Sequence, residues 1–116
     1  VQSGLSVGVP GNIRMAALAH SQHGKLPWAK LFEPAIELAR NGFRINQRLY
    51  NSISAQPGHA GFSATARKLY FDAEGKVLPA GSLVQNEQLA LTFEWIAREG
   101  PDAFYTSALG DAIAAT

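Results

Sequence analysis

The sequence predicts a mainly α-helical chain with short extended connections. Two observations lead to that class. Apolar residues recur at spacings of three and four, most clearly at Phe32, Ile36, Ala39 and Phe43, and glycine, proline or a capping side chain stands at the ends of the periodic stretches. The stretches that read as extended are brief and broken by Pro79, Gly81 and similar residues.

In order along the chain, Leu5 to Val9 alternates loosely and turns at Pro10-Gly11, which reads as a short strand or extended entry into a helix. Asn12 is placed to cap that helix, which carries Ile13, Met15, Ala16, Ala17, Leu18 and Ala19, and Gly24 is placed to end it in a left-handed turn. Pro27 suits the first position of a new helical turn, where its missing N–H costs nothing. The stripe of Phe32, Ile36, Ala39 and Phe43 then predicts an amphipathic helix, with Glu33 and Glu37 facing away and Asn41-Gly42 as its stop. Asn46 opens a helix through Leu49, Tyr50 and Ile53, which fades into a loop over Gln56 to Gly61. Ser63 to Tyr70 reads as one or two helical turns, Asp72 to Lys76 as a turn, and Val77 to Gly81 as extended. Asn86 caps a last long helix with Leu89, Phe93, Ile96 and Ala97 on its buried stripe. Gly100 ends it, and Pro101 starts another with Asp102 in its first turn, where the helix dipole favours an anion.

Composition bounds the function. A chain of 116 residues is expected to form a single segment or domain, and 47% hydrophobic with 16% charged residues is globular rather than disordered. A formal charge of +1 with no basic run argues against a nucleic-acid partner. With no cysteine, disulfide frameworks, thiolate zinc sites and cysteine nucleophiles are excluded, and no stretch approaches the roughly 20 apolar residues of a membrane span. The chain starts without Met or a leader pattern and stops inside a predicted helix, so it reads as an internal piece of something larger.

The search for chemistry yields no site. His20 and His23 lie three apart, able to share a helix face, but metal ligation needs a further ligand and none stands near in sequence; His59 sits in the predicted loop. Glu33 with Glu37, and Glu94 with Glu99 beside Arg98, read as solvated helix faces, since acid–base work would need one carboxylate desolvated. No Gly-x-Ser-x-Gly elbow, no Ser-x-x-Lys and no phosphate-cradling glycine loop is present. Trp28 and Trp95 read as packing residues.

Taken together the motifs are more specific. Ser6-Val7-Gly8-Val9-Pro10-Gly11 leads to His23-Gly24-Lys25-Leu26-Pro27-Trp28, then Phe32-Glu33-Pro34-Ala35-Ile36-Glu37-Leu38-Ala39 and Asn41-Gly42-Phe43. Leu78-Pro79-Ala80-Gly81, Leu83-Val84-Gln85, Leu89-Ala90, Ile96-Ala97 and Gly100-Pro101-Asp102-Ala103-Phe104-Tyr105 follow. In order and spacing this series resembles the middle of the large subunit of gamma-glutamyltransferases (gamma-glutamyl transpeptidases), over nearly the whole chain and least over residues 52–68.

The resemblance implies a parent with the four-layer αββα fold of N-terminal nucleophile hydrolases, made as a precursor that cleaves itself. A Thr freed at the start of the small subunit is then the nucleophile. It transfers the gamma-glutamyl group of glutathione or a related amide to water, an amino acid or a peptide. No cofactor or metal is implied. The family's Thr and glycine-rich oxyanion region lie downstream of Thr116, and the Arg that holds the substrate's α-carboxylate lies upstream of Val1. Thr65, Thr92, Thr106 and Thr116 lack the nucleophile's surroundings, so no catalytic, cofactor-binding or metal-binding residue is assigned to this chain. The expected partners are the rest of the large subunit and the small subunit of the same precursor, in a periplasmic or secreted enzyme, as is common for bacterial members. Apolar surface left bare in the isolated piece would favour self-association. Two other readings stay open: an acylase of glutaryl-type amides on the same scaffold, and an autonomous non-catalytic helical binding module.

Overall fold

The computed structural model describes residues 8, 10–61 and 63–115, so the expected entry strand from Leu5 to Val9 lies outside the described residues. What is described is mainly helical: α1 (Asn12–His23), α2 (Glu33–Asn41), α3 (Gln47–Ala55), α4 (Pro57–Ala60), α5 (Ala64–Tyr70), α6 (Glu87–Glu99), α7 (Ala103–Thr106) and α8 (Ala108–Ala114), with a 3-10 turn at Trp28–Leu31 and two short strands, β1 (Phe43–Arg44) and β2 (Leu83–Val84). The chain groups into two compact units, one of residues 1–33 and 93–116, the other of residues 34–92.

In the 34–92 unit Asn46 and Asn86 cap their helices as predicted, and Ser63 does the same at α5. Asn46 Oδ1 accepts from Leu49 N at 2.8 Å at the start of α3, Ser63 Oγ from Ala66 N at 3.0 Å at the start of α5, and Asn86 Oδ1 from Leu89 N at 3.0 Å at the start of α6. Each satisfies one of the orphan donors of a first turn. Replacing Asn46 or Asn86 by Ala is expected to cost about 1 kcal/mol each, and roughly the sum in the double variant, because the two caps share no partner. Urea unfolding of the purified variants measures it, and a loss near zero for both would show that these caps carry no stability.

The turn at residues 72–76 also forms. Asp72 N donates to Lys76 O at 2.9 Å, and Asp72 Oδ1 accepts from Glu74 N and Lys76 N at 3.1 and 2.8 Å. Phe71 and Val77 then face each other in an antiparallel bridge. Val77 to Pro79 is extended, as expected, but Ala80-Gly81 forms a turn, with Gly81 at φ +93° and Ser82 N donating to Pro79 O at 3.1 Å. The segment after this turn pairs with a strand some 40 residues earlier: Phe43 opposite Val84 and Arg44 opposite Leu83, with Ile45 N donating to Ser82 O at 2.9 Å. The core of this unit is Ala39, Ile45, Ile53, Val84 and Ala90.

Several expectations need correction. The stripe of Phe32, Ile36, Ala39 and Phe43 does not run along one helix. α2 ends at Asn41, Gly42 reverses the chain at φ +93°, and Phe43 belongs to β1, so of the four only Ala39 is buried. Residues 57–60 form α4 rather than loop, with Pro57 in its first turn, where a missing N–H is tolerated. In α6 it is Ala90, fully buried, that turns inward; Leu89 stays 40% exposed.

In the other unit, Gly11 rather than Asn12 holds the cap position of α1. Gly11 O already accepts from Met15 N at 2.9 Å, which draws Asn12 into the helix. Gly24 is extended (φ −68°, ψ 139°) instead of left-handed. Glycine is needed there for space, because a Cβ would stand 2.2 Å from His20 Cδ2. Pro27 precedes the 3-10 turn by one residue, and Pro101-Asp102 forms a turn ahead of α7 rather than the start of a helix. Gly100 ends α6 at φ +88°, as expected of a helix stop. Ile96 and Ala103 are the buried apolar residues of this unit among those described. Trp28 reaches across it, its Nε1 donating to Ile96 O at 3.1 Å.

Candidate functional site

The three histidines do not converge. His20 and His23 stand near the end of α1, and His20 Nε2 is hydrogen-bonded to Leu26 O at 2.7 Å. The His20 ring meets the edge of Trp28 at a centroid distance of 5.5 Å, and Trp28 in turn meets Phe32 at 5.0 Å. This is an aromatic packing chain that holds the 3-10 turn. His59 is exposed on α4 and bonds Gln56 Oε1, three residues before it. Among the described residues no group of three or more His, Asp or Glu is placed to hold a metal ion.

The carboxylates are exposed or paired. Glu33 accepts from Lys30 Nζ at 2.8 Å, and that contact holds the Lys30 amine above its ordinary pKa. Glu99 takes Arg98 Nε at 2.7 Å. Among the described residues no polar or charged side chain is buried within this chain. The threonine hydroxyls are engaged within their own helices: Thr92 donates to Gln88 O at 2.8 Å and Thr106 to Asp102 O at 3.0 Å. Thr65 lies exposed on α5, and Thr116 is outside the described residues.

Two polar constellations went unread in the sequence. In the 34–92 unit, Arg40 grips both carboxylate oxygens of Glu87, with Nε 3.1 Å from each and Nη2 2.9 Å from Oε1. Gln85 Nε2 and Asn86 N cap the end of α2 at Arg40 O and Ala39 O. In the other unit, Arg14 Nη1 meets Asp102 Oδ1 at 2.6 Å while its guanidinium lies 4.7 Å from the centre of the Tyr105 ring. Tyr105 Oη donates to Pro10 O at 2.8 Å and accepts from Arg14 N at 3.1 Å. Arg14 and Asp102 are 88 residues apart, and no local pattern announces such a pair. Asp102 reads in sequence as a helix-dipole anion, and its carboxylate serves the arginine instead. Each constellation ties together chain positions far apart in sequence.

Each unit has one open cleft of note. A cleft of about 440 Å3 runs along α1 between Ala16, Ala19, His20, His23, Leu26 and Leu31. A second, of about 390 Å3, lies between Gly61, Arg67, Phe71 and Asp72. In the second, Arg67 Nε is committed to Gly61 O at 2.6 Å and Asp72 Oδ1 to its own turn, so neither group is free to bind a ligand through those atoms. No helix among the described residues is long and apolar enough to cross a membrane.

Comparison with known proteins identifies what the geometry leaves open. The glutathione hydrolase 5 proenzyme of Mus musculus is 44% identical over 108 residues, an overlap of 90% of this chain and 18% of that protein. The transpeptidase CapD of Bacillus anthracis superposes with a TM-score of 0.86 at 26% identity, over 99% of this chain and 39% of that one. The gamma-glutamyltranspeptidase of Helicobacter pylori superposes at 0.83 and 26% identity, over 92% of this chain and 31% of that one. The chain therefore spans about a fifth of the length of the curated relatives it matches. The description of the gamma-glutamyltranspeptidase family fits residues 1–116 from end to end, and the chain belongs to that family.

Proposed function

We propose that this chain is a structural segment of the large subunit of a self-processing gamma-glutamyltransferase, and that it supplies no catalytic, cofactor-binding or metal-binding residue. The observation that carries the reading is a family match along the whole chain, combined with described side chains that are exposed, paired or bonded to their own helices. The segment's fold recurs in a transpeptidase and in a gamma-glutamyltranspeptidase with similar fidelity, which suits a shared scaffold better than a substrate-specific site.

In the whole enzyme the nucleophile is the hydroxyl of a Thr freed by self-cleavage at the start of the small subunit, with its own amine as base. The hydroxyl attacks the gamma-carbonyl of a glutamyl amide such as glutathione. The amine leaves with a proton, and the ester formed is resolved by water or by the amine of an amino acid or peptide. This segment's part is to cover and hold the elements that carry those groups, in partnership with the rest of the large subunit and with the small subunit. A periplasmic or secreted location goes with this reading.

The test is the intact mass of the full-length protein after purification. Two polypeptides are expected, the smaller beginning with Thr, together with release of glutamate from gamma-glutamyl amides. A single uncleaved chain without that activity sinks the reading and favours a binding module on the same scaffold.

A further inference from the structure

Asn41-Gly42 stands where α2 ends and β1 begins, and it combines two features that no other asparagine of the chain combines. Gly42 is the only glycine that follows an asparagine, so its backbone N has no Cβ beside it to hinder an approach. The Asn41 side chain is also uncommitted: the residue is exposed, and among the described residues its side-chain amide makes no hydrogen bond. The other asparagines are held or hindered. Asn46 and Asn86 cap their helices, Asn51 Oδ1 accepts from Gln47 Nε2 at 2.8 Å, and Asn12 is followed by the β-branched Ile13.

An asparagine in this state reacts with its own backbone. The N of the next residue attacks the side-chain Cγ, its proton goes to the departing amide nitrogen, and ammonia leaves as a five-membered succinimide closes. Water then opens the ring at either carbonyl, giving Asp or isoaspartate; one water is taken up and one ammonia released, with no oxidant, metal or second protein involved. One bond holds the reaction back. Gly42 N donates to Leu38 O at 3.0 Å, closing the last turn of α2, and this aims the nucleophile at a carbonyl and away from the Asn41 side chain. Gln85 Nε2, 3.1 Å from Arg40 O, and Asn86 N, 2.7 Å from Ala39 O, brace the same turn.

We infer that Asn41 is a site of spontaneous deamidation and isoaspartate formation, gated by the Gly42 N–Leu38 O hydrogen bond at the end of α2. Helix ends open locally far more readily than a whole domain unfolds, so the gate opens within the folded protein and sets the rate. The product changes the junction. An Asp at position 41 puts a negative charge in the last turn of α2, where the helix dipole disfavours an anion. Isoaspartate in addition lengthens the main chain by one atom just before Gly42, at the point where the chain reverses at φ +93° close to Val84 O. The inference goes beyond the enzymatic reading and does not depend on it.

The experiment is ageing of the full-length protein in mildly alkaline buffer, native and in concentrated urea. Cleavage after Lys30 and Lys68 isolates residues 31–68, which carry Asn41 together with Asn46 and Asn51 as internal controls. Fragment masses locate the amide-to-acid exchange, and chromatography separates the isoaspartyl from the aspartyl peptide. Asn41 is expected to convert first in both conditions, and on the order of tenfold more slowly in the native protein, because only the opened helix end reacts. Gln85→Ala removes one brace from an exposed position; it is expected to speed native conversion of Asn41 several-fold and to leave the rate in urea unchanged. Conversion of Asn41 no faster than that of Asn46 and Asn51 in urea overturns the inference, as does an equal rate in native buffer and urea. A Gln85→Ala protein whose native rate matches wild type overturns the gate, and the inference with it.

Discussion

Gly42→Ala is expected to destabilise the protein by about 3 kcal/mol, as the sum of two separable costs. Gly42 sits at φ +93°, and an L-residue held in that region costs on the order of 1–2 kcal/mol. The second cost is space. A Cβ at this position would stand 2.8 Å from Gln85 Cγ, 2.8 Å from Leu83 Cδ1 and 2.9 Å from Val84 O. The two side-chain atoms can move aside. Val84 O cannot do so cheaply, because Val84 is buried and paired with Phe43 in the ladder, so crowding there adds roughly 1–3 kcal/mol. Gly81 is the internal control: its φ is also +93°, yet nothing lies within 4 Å of the place its Cβ would take. Gly81→Ala should show the backbone cost alone. Urea unfolding of both variants decides the matter, and a Gly42→Ala loss no larger than that of Gly81→Ala would mean that the ladder yields freely.

The same junction shows where sequence reasoning stops. Several signals whose donor and acceptor lie within four residues were legible: the caps at Asn46 and Asn86, the turn built by Asp72, and the stop at Gly100. Each is a local hydrogen bond or a local conformational need, so the residue type carries the information. The ladder between residues 43–44 and 83–84 was not legible, because two-residue strands are too short for alternation to register. For the same reason the helical spacing ran on through Gly42 and put Phe43 on the wrong element. The clasp of Arg14, Asp102 and Tyr105 joins chain positions about 90 residues apart, and nothing local foretells which charge meets which. The family was legible only through the order of many weak motifs. No single spacing pointed to gamma-glutamyl chemistry.

Ile96→Ala tests both the packing and the assigned role. Ile96 is 1% exposed, and it and Ile45 are the largest fully buried side chains among the described residues. Its carbonyl accepts twice, from Gly100 N at 2.9 Å and from Trp28 Nε1 at 3.1 Å, so the backbone at this point is tied on both sides and collapses poorly around a void. A truncation of this kind costs about 2–5 kcal/mol, and Ile96→Val, which removes one methylene, about 0.5–1.5 kcal/mol. Thermal unfolding of the full-length protein should therefore rank wild type, Val and Ala in that order. A scaffold residue shifts the amount of folded enzyme and leaves each folded copy as it was. The processed fraction of Ile96→Ala, assayed well below its midpoint, is thus expected to keep the wild-type kcat/KM towards a gamma-glutamyl amide. A fall in kcat/KM of about tenfold, equivalent to some 1.4 kcal/mol of transition-state stabilisation, would show that this segment shapes the reacting site, and that its contribution extends beyond support.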